Sequence, residues 1–160
     1  MAYTIHTTEG FILSSTPIGE ANRIYRIFTR EFGVIVATAQ GVRLNTSKLR
    51  PHLMDYVFSS ISLVKGKEFW RITSASEISR SKDRVYIQIL TIIKRLLQGE
   101  GEHVALFDYL KQELFKENLD ETNLMVRILL ELGYIDGKEI TDNKKDLINL
   151  INKGLKESQL

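Results

Sequence analysis

Cysteine is absent from the 160 residues. That removes disulfides, thiolate zinc sites and cysteine nucleophiles together, and it fits a reducing compartment. Histidine is scarce. His6, His52 and His103 are scattered, and no two stand at the His-x-x-x-His spacing that puts two metal ligands on one helical face. They read as surface or hydrogen-bonded residues, and no metal is predicted. No apolar run approaches the ~20 residues of a membrane span, and the start of the chain lacks the charged-then-apolar pattern of a secretion signal. Charge of one sign is not in excess, with 22 Lys and Arg against 20 Asp and Glu. A cytosolic protein with no membrane partner is expected. Catalytic signatures are missing as well. There is no Gly-x-Ser-x-Gly elbow and no Gly-rich phosphate loop. Gly99-Glu100-Gly101 closes a helical pattern, where a phosphate cradle would open one. Glu100 and Glu102 read as solvated loop carboxylates. No enzyme activity, cofactor or small-molecule substrate is predicted.

What is present is enough apolar residue, 43% of the chain, for one or two small cores. The two halves differ in charge. Residues 1–80 carry ten Lys and Arg against six Asp and Glu; residues 81–160 carry twelve against fourteen. A possible anionic partner belongs with the first half. That half has the period of strands. Residues 11–17 end at Pro17 and Gly19; 22–29 place Arg23, Tyr25, Ile27 and Thr29 on one face and Ile24, Arg26 and Phe28 on the other. Residues 34–40 are small and β-branched. Residues 54–64 set Met54, Tyr56 and Phe58 against Val57, Ile61 and Leu63; Lys65-Gly66-Lys67 makes a hairpin turn, and 68–75 put Trp70 and Ile72 on one face. The stretch 41–53 reads as a loop. After Ile78 the period lengthens to that of helices, over 83–97, 103–116, 120–132 and 142–156. Asp120 is a cap, and Leu147, Ile148, Ile151 and Leu155 form the inner stripe of the fourth helix. The fold class is α+β: a five-stranded OB-type barrel over 1–79, then about four helices over 80–160.

OB barrels are frequent nucleic-acid platforms. Arg23, Arg26, Arg43, Lys48, Arg50, Lys65, Lys67 and Arg71 fall on strands two and five or in the loops, with Tyr25, Tyr56, Phe69 and Trp70 among them. Cations along a groove track phosphates, and flat rings stack bases. The same residues also admit a plainer reading, in which the Lys and Arg are solvated and most rings, Trp70 above all, are core.

Three segments, Gly19-Glu20-Ala21-Asn22-Arg23, Phe28-Thr29-Arg30-Glu31-Phe32-Gly33 and Ala39-Gln40-Gly41-Val42-Arg43, resemble the N-terminal domain of the RecO family. Ser47-Lys48-Leu49-Arg50-Pro51, Gly66-Lys67-Glu68-Phe69-Trp70-Arg71, Leu106-Phe107-Asp108-Tyr109-Leu110 and Leu129-Leu130-Glu131-Leu132-Gly133-Tyr134 extend the likeness in order and spacing over about residues 10–137. The resemblance implies a bacterial recombination mediator of the cytosol and nucleoid. Such a protein binds single- and double-stranded DNA, anneals strands, contacts the tail of the single-stranded-DNA-binding protein and loads RecA with RecR. It implies DNA contacts at Arg43, Lys48 and Arg50, with Arg23 on strand two; Lys65, Lys67 and Arg71 are further candidates. The family's four-cysteine zinc knuckle commonly begins after the position of Tyr134, where this chain has Ile135-Asp136-Gly137. Zinc is not expected, and the helical part reads as short for the family. Two other classes remain open from the residues: a protein-interaction module for RecR or the single-strand-binding protein's tail with little DNA affinity, and an RNA-binding OB protein.

Overall fold

A computed structural model describes residues 2–159. Alternation of side chains builds the barrel. In β2 (Asn22–Thr29) Tyr25 and Ile27 point inward while Phe28 points out. In β3 (Gly33–Ala39) Ile35, Ala37 and Ala39 point inward and Val34 out. β4 (Phe58–Lys65) and β5 (Trp70–Ser79) add Ile61, Leu63, Trp70 and Ile72 to the interior. The strands close in the order β1-β2-β3-β5-β4, with β1 spanning Ile5–Ile18. All neighbours are antiparallel except β3 and β5, which pair in parallel through Ala37–Trp70 and Thr38–Arg71. This is the OB order that the sequence predicts.

β1 serves both halves of the barrel. Residues 5–11 pair with β4 and residues 10–18 with β2, with a bulge at Leu13. Gly10 sits where the two pairings overlap, and a Cβ there would stand 2.7 Å from Ile27 Cγ2. The strand limits need correction in three places. β1 begins at Ile5 rather than 11, because Thr7, Thr8 and Glu9 form a ladder without an apolar alternation to reveal it. β4 begins at Phe58 rather than 54: Tyr56 has φ 67° and its N–H donates to Ile12 O at 2.7 Å, so residues 54–57 cross the barrel as a turn. β5 continues to Ser79 through alternately exposed polar residues. Inside the expected loop, Arg50–Leu53 forms a 3₁₀ turn.

Four helices follow: α1 (Arg84–Leu96), α2 (Val104–Glu113), α3 (Glu121–Glu131) and α4 (Lys144–Glu157). Asp83, Asp120 and Asn143 cap α1, α3 and α4 by accepting from Val85, Asn123 and Lys145 backbone N–H groups. α4 buries Leu147, Leu150 and Ile151; Ile148, expected inside, lies on the exposed side, one position off the stripe. The helices do not build a core of their own. Phe11, Leu13, Phe28 and Phe58, on the outer face of the barrel, share one cluster with the helices' apolar residues. Phe107 of α2 lies 5.2–6.1 Å, ring to ring, from Phe11, Phe28 and Phe58. Full burial of such a ring contributes roughly 1.5–3 kcal/mol, so α2 is anchored by apolar contact. The exposed Arg30–Asp108 pair at 2.8 Å adds little beside that.

The end of the barrel formed by the β2–β3 turn and the start of β5 is closed. Phe32 and Trp70 rings lie 4.8 Å apart, and His6 meets both edge-on at 5.5 and 5.6 Å. The segment between α1 and α2 then straps the gap where β3 and β5 diverge. Val34 N–H donates to Gly99 O at 3.2 Å, and Trp70 Nε1–H donates to Glu100 Oε1 at 2.9 Å. Gly33, at φ 67°, faces Gly101 so closely that any Cβ would collide with its backbone. Glu100 is therefore a structural acceptor and not the free loop carboxylate expected from sequence.

Candidate nucleic-acid interface

The opposite end of the barrel is open. Arg23 follows the inward alternation of Tyr25 and Ile27, one step beyond the core, so its side chain stands in the barrel mouth. The chain after β3 then folds across this mouth. Val42 and Leu53 form its floor, both buried. Arg43 is tied to the β1–β2 turn, its N–H donating to Ala21 O at 2.9 Å and its Nη1 to Gly19 O at 2.7 Å. Ser47 Oγ accepts from the Leu49 and Arg50 N–H groups, and Pro51 presets the first turn of Arg50–Leu53, so Arg50 leaves a fixed backbone.

These pieces enclose a cleft of about 580 Å³ whose walls carry Arg23, Arg43 and Arg50. Its floor is Tyr25, Val42 and Leu53, and Met54 and Asp55 form the far rim. Arg23 donates to Ser15 Oγ from Nε at 3.2 Å and from Nη2 at 3.0 Å, and Ser15 donates on to Asp55 Oδ1 at 3.0 Å. No ion pair within 4 Å joins any of the three guanidiniums to a carboxylate among the described residues. Arg23 and Arg43 donate to neutral oxygens, which orient them without cancelling their charge, and the Arg50 guanidinium has no hydrogen-bond partner among the described residues. Burial pushes the Tyr25 phenol above its ordinary pKa; Arg23 and Arg50 oppose this and Asp55 adds to it. At neutral pH the hydroxyl is a proton donor. Guanidiniums held in this way suit phosphate oxygens.

A second basic surface lies beside the β4–β5 turn. A shallow groove of about 670 Å³ is lined by Lys65, Lys67 and Arg71 together with Tyr3 and Phe69. The two rings are 64% and 40% exposed, and the Arg71 guanidinium lies 5.8 Å from the Tyr3 ring. Lys65 differs from the mouth arginines. It pairs with Glu100 at 3.2 Å and sits 5.0 Å over the Trp70 ring.

The predicted basic residues therefore divide. Arg23, Arg43 and Arg50 come together at the mouth; Lys65, Lys67 and Arg71 come together at the hairpin; no residue lines both. Lys48 is exposed and lines neither. Arg26 faces the helices, donating to the Lys94 and Leu97 carbonyls at the end of α1 at 3.5 and 3.4 Å. Ser15, Asp55 and Tyr3 were missed from the sequence. Strand register places Ser15 opposite Tyr25, whereas Tyr3 and Asp55 lie outside the strands. His52 is hydrogen-bonded, its Nδ1 accepting from Glu77 N–H at 3.0 Å. Among the described residues no three His, Asp or Glu side chains converge as a metal site would require, and no helix is long and apolar enough to cross a membrane.

A closed five-stranded barrel in OB order, with helices packed on its outer face and an arginine-lined mouth, defines the class: an OB-fold protein with a candidate polyanion-binding surface. Residues 1–81 match the family model described as "Recombination protein O N terminal". The chain belongs to the RecO family of DNA repair proteins. A DNA repair protein RecO of Synechococcus is 29% identical over 155 residues, which are 97% of this chain and 53% of that protein. Proteins of the same name from Dehalococcoides mccartyi and Gloeothece citriformis are 39% and 35% identical over 71 and 78 residues. Those stretches cover 44% and 49% of this chain, and 28% and 27% of the relatives. The chain spans at most about half the length of these relatives.

Proposed function

We propose that this protein binds single- and double-stranded DNA through the barrel mouth, without sequence preference, and promotes strand annealing in recombinational repair. The observation that carries this reading is the set of three guanidiniums in one cleft, two of them oriented by neutral oxygens, and none in a carboxylate ion pair among the described residues. Phosphate contacts position a strand but do not read its bases. Annealing follows where the cations screen two backbones at once. Lys48, on the same linker, and the hairpin residues Lys65, Lys67 and Arg71 extend the contact to neighbouring phosphates. RecR and the tail of the single-stranded-DNA-binding protein are the protein partners that family membership suggests, with RecA loading as the shared outcome. The protein acts in the bacterial cytosol and needs no catalysis of its own.

Fluorescence anisotropy with labelled single-stranded DNA, titrated at several salt concentrations, tests this. Roughly three to five phosphate contacts predict that log K falls with log salt at a slope of about −2 to −3.5. No binding at low salt would remove DNA from the account and turn the search to protein partners. Tighter binding of RNA than of DNA of the same sequence would reassign the nucleic acid.

A further inference from the structure

We infer that the barrel-mouth cleft seats the terminal phosphate of a strand, a phosphomonoester, in preference to a phosphodiester in mid-strand; this rests on the DNA-binding reading above. The shape supports an end. The floor of the cleft is the barrel core itself, with Tyr25, Val42 and Leu53 all buried, so the cleft is a recess. A continuous strand crosses its rim, whereas a strand end reaches its floor.

The charge supports an end as well. Three guanidiniums against the Asp55 carboxylate leave a net of two positive charges. A phosphomonoester carries about −1.5 to −2 at neutral pH, and an internucleotide diester carries a single charge. Tyr25 supplies the third observation. It is 2% exposed, lines the cleft, and its hydroxyl has no hydrogen-bond partner among the described residues. The hydroxyl is not sealed in the core, because the buried side-chain polar atom left unpartnered among the described residues is Gln88 Oε1, so the Tyr25 hydroxyl opens to the cleft. A phosphate oxygen on the floor of the cleft would accept from this hydroxyl and from the guanidiniums around it. The volume exceeds what a phosphate fills and leaves room for the sugar and base of one terminal nucleotide against Met54, a soft and exposed rim residue.

The test uses the full chain and an internally labelled single strand of about ten nucleotides. Three forms are compared: 5′-phosphorylated, 3′-phosphorylated and hydroxyl at both ends. One phosphorylated form is expected to bind about five- to tenfold tighter than the hydroxyl form at equal salt. The end that gives the gain sets the polarity of the bound strand. If a nucleoside monophosphate erases the gain in competition, free nucleotides share the site by the same chemistry. Tyr25→Phe keeps the ring and the fold, and should bring the affinities of the phosphorylated and hydroxyl forms to a ratio of about one. Arg50→Ala, at an exposed position, should abolish the gain too. Equal affinity for all three forms overturns the inference and leaves DNA binding standing. A gain that survives Tyr25→Phe and Arg50→Ala places the end elsewhere and also overturns it. Absence of binding in every form overturns both readings.

Discussion

The two ends of this barrel use the same fold for different purposes. At the closed end, His6, Phe32 and Trp70 pack ring against ring, Glu100 takes the indole hydrogen bond, and Gly33 admits the backbone of Gly101. Lys65, beside Trp70, is matched by a carboxylate. At the open end, three arginines are held by a hydroxyl, a carbonyl and a fixed turn, and no ion pair among the described residues offsets them. Charge that is neutralised internally is withheld from a ligand. Charge that is oriented and left unneutralised is available to a ligand.

The sharpest way to break this contrast is at the closed end. Gly33→Ala meets both a left-handed backbone and a collision with Gly101, and should cost about 2–4 kcal/mol in urea unfolding. DNA affinity of the folded fraction should be unchanged. A variant as stable as wild type would mean that the strap is not part of the barrel's closure. A smaller effect sharpens the difference between the two basic surfaces. Glu100→Gln keeps an acceptor for Trp70 Nε1–H but frees Lys65. Stability should change by less than ~0.5 kcal/mol, as expected for an exposed ion pair. DNA affinity should rise about two- to threefold if phosphates reach the hairpin groove. Unchanged affinity would confine DNA to the mouth.

Much of this architecture was legible in the sequence, and the reason is periodicity. Wherever a strand has one face on a core, its alternation appears in the residue order, as in Tyr25 and Ile27 or Trp70 and Ile72. The helices were legible by the same logic, down to the Asp120 cap. Elements held by backbone pairing alone were not. The first residues of β1 and the last of β5 are polar ladders. The turn at Tyr56 depends on a positive φ at a residue that rarely adopts one. The strap was hidden for a related reason: Gly99-Glu100-Gly101 has meaning only beside Gly33 and Trp70, some thirty or more residues away and brought near by barrel closure. The basic residues were found as a set, but their division into mouth and hairpin required the strand register. Arg26 shows the limit most clearly. It lies one step past Tyr25 and so on the opposite face, where its partners are the carbonyls that end α1.

The central claim is that DNA is held at the open mouth by cations that the protein itself leaves unneutralised. The most direct measurement is the salt dependence of single-stranded DNA binding for wild type and for the Arg43→Ala, Arg50→Ala double variant. With two phosphate contacts removed, the slope of log K against log salt should become shallower by about 1.4, uniformly across DNA sequences and with unfolding stability unchanged. An unaltered slope in the double variant would contradict the claim.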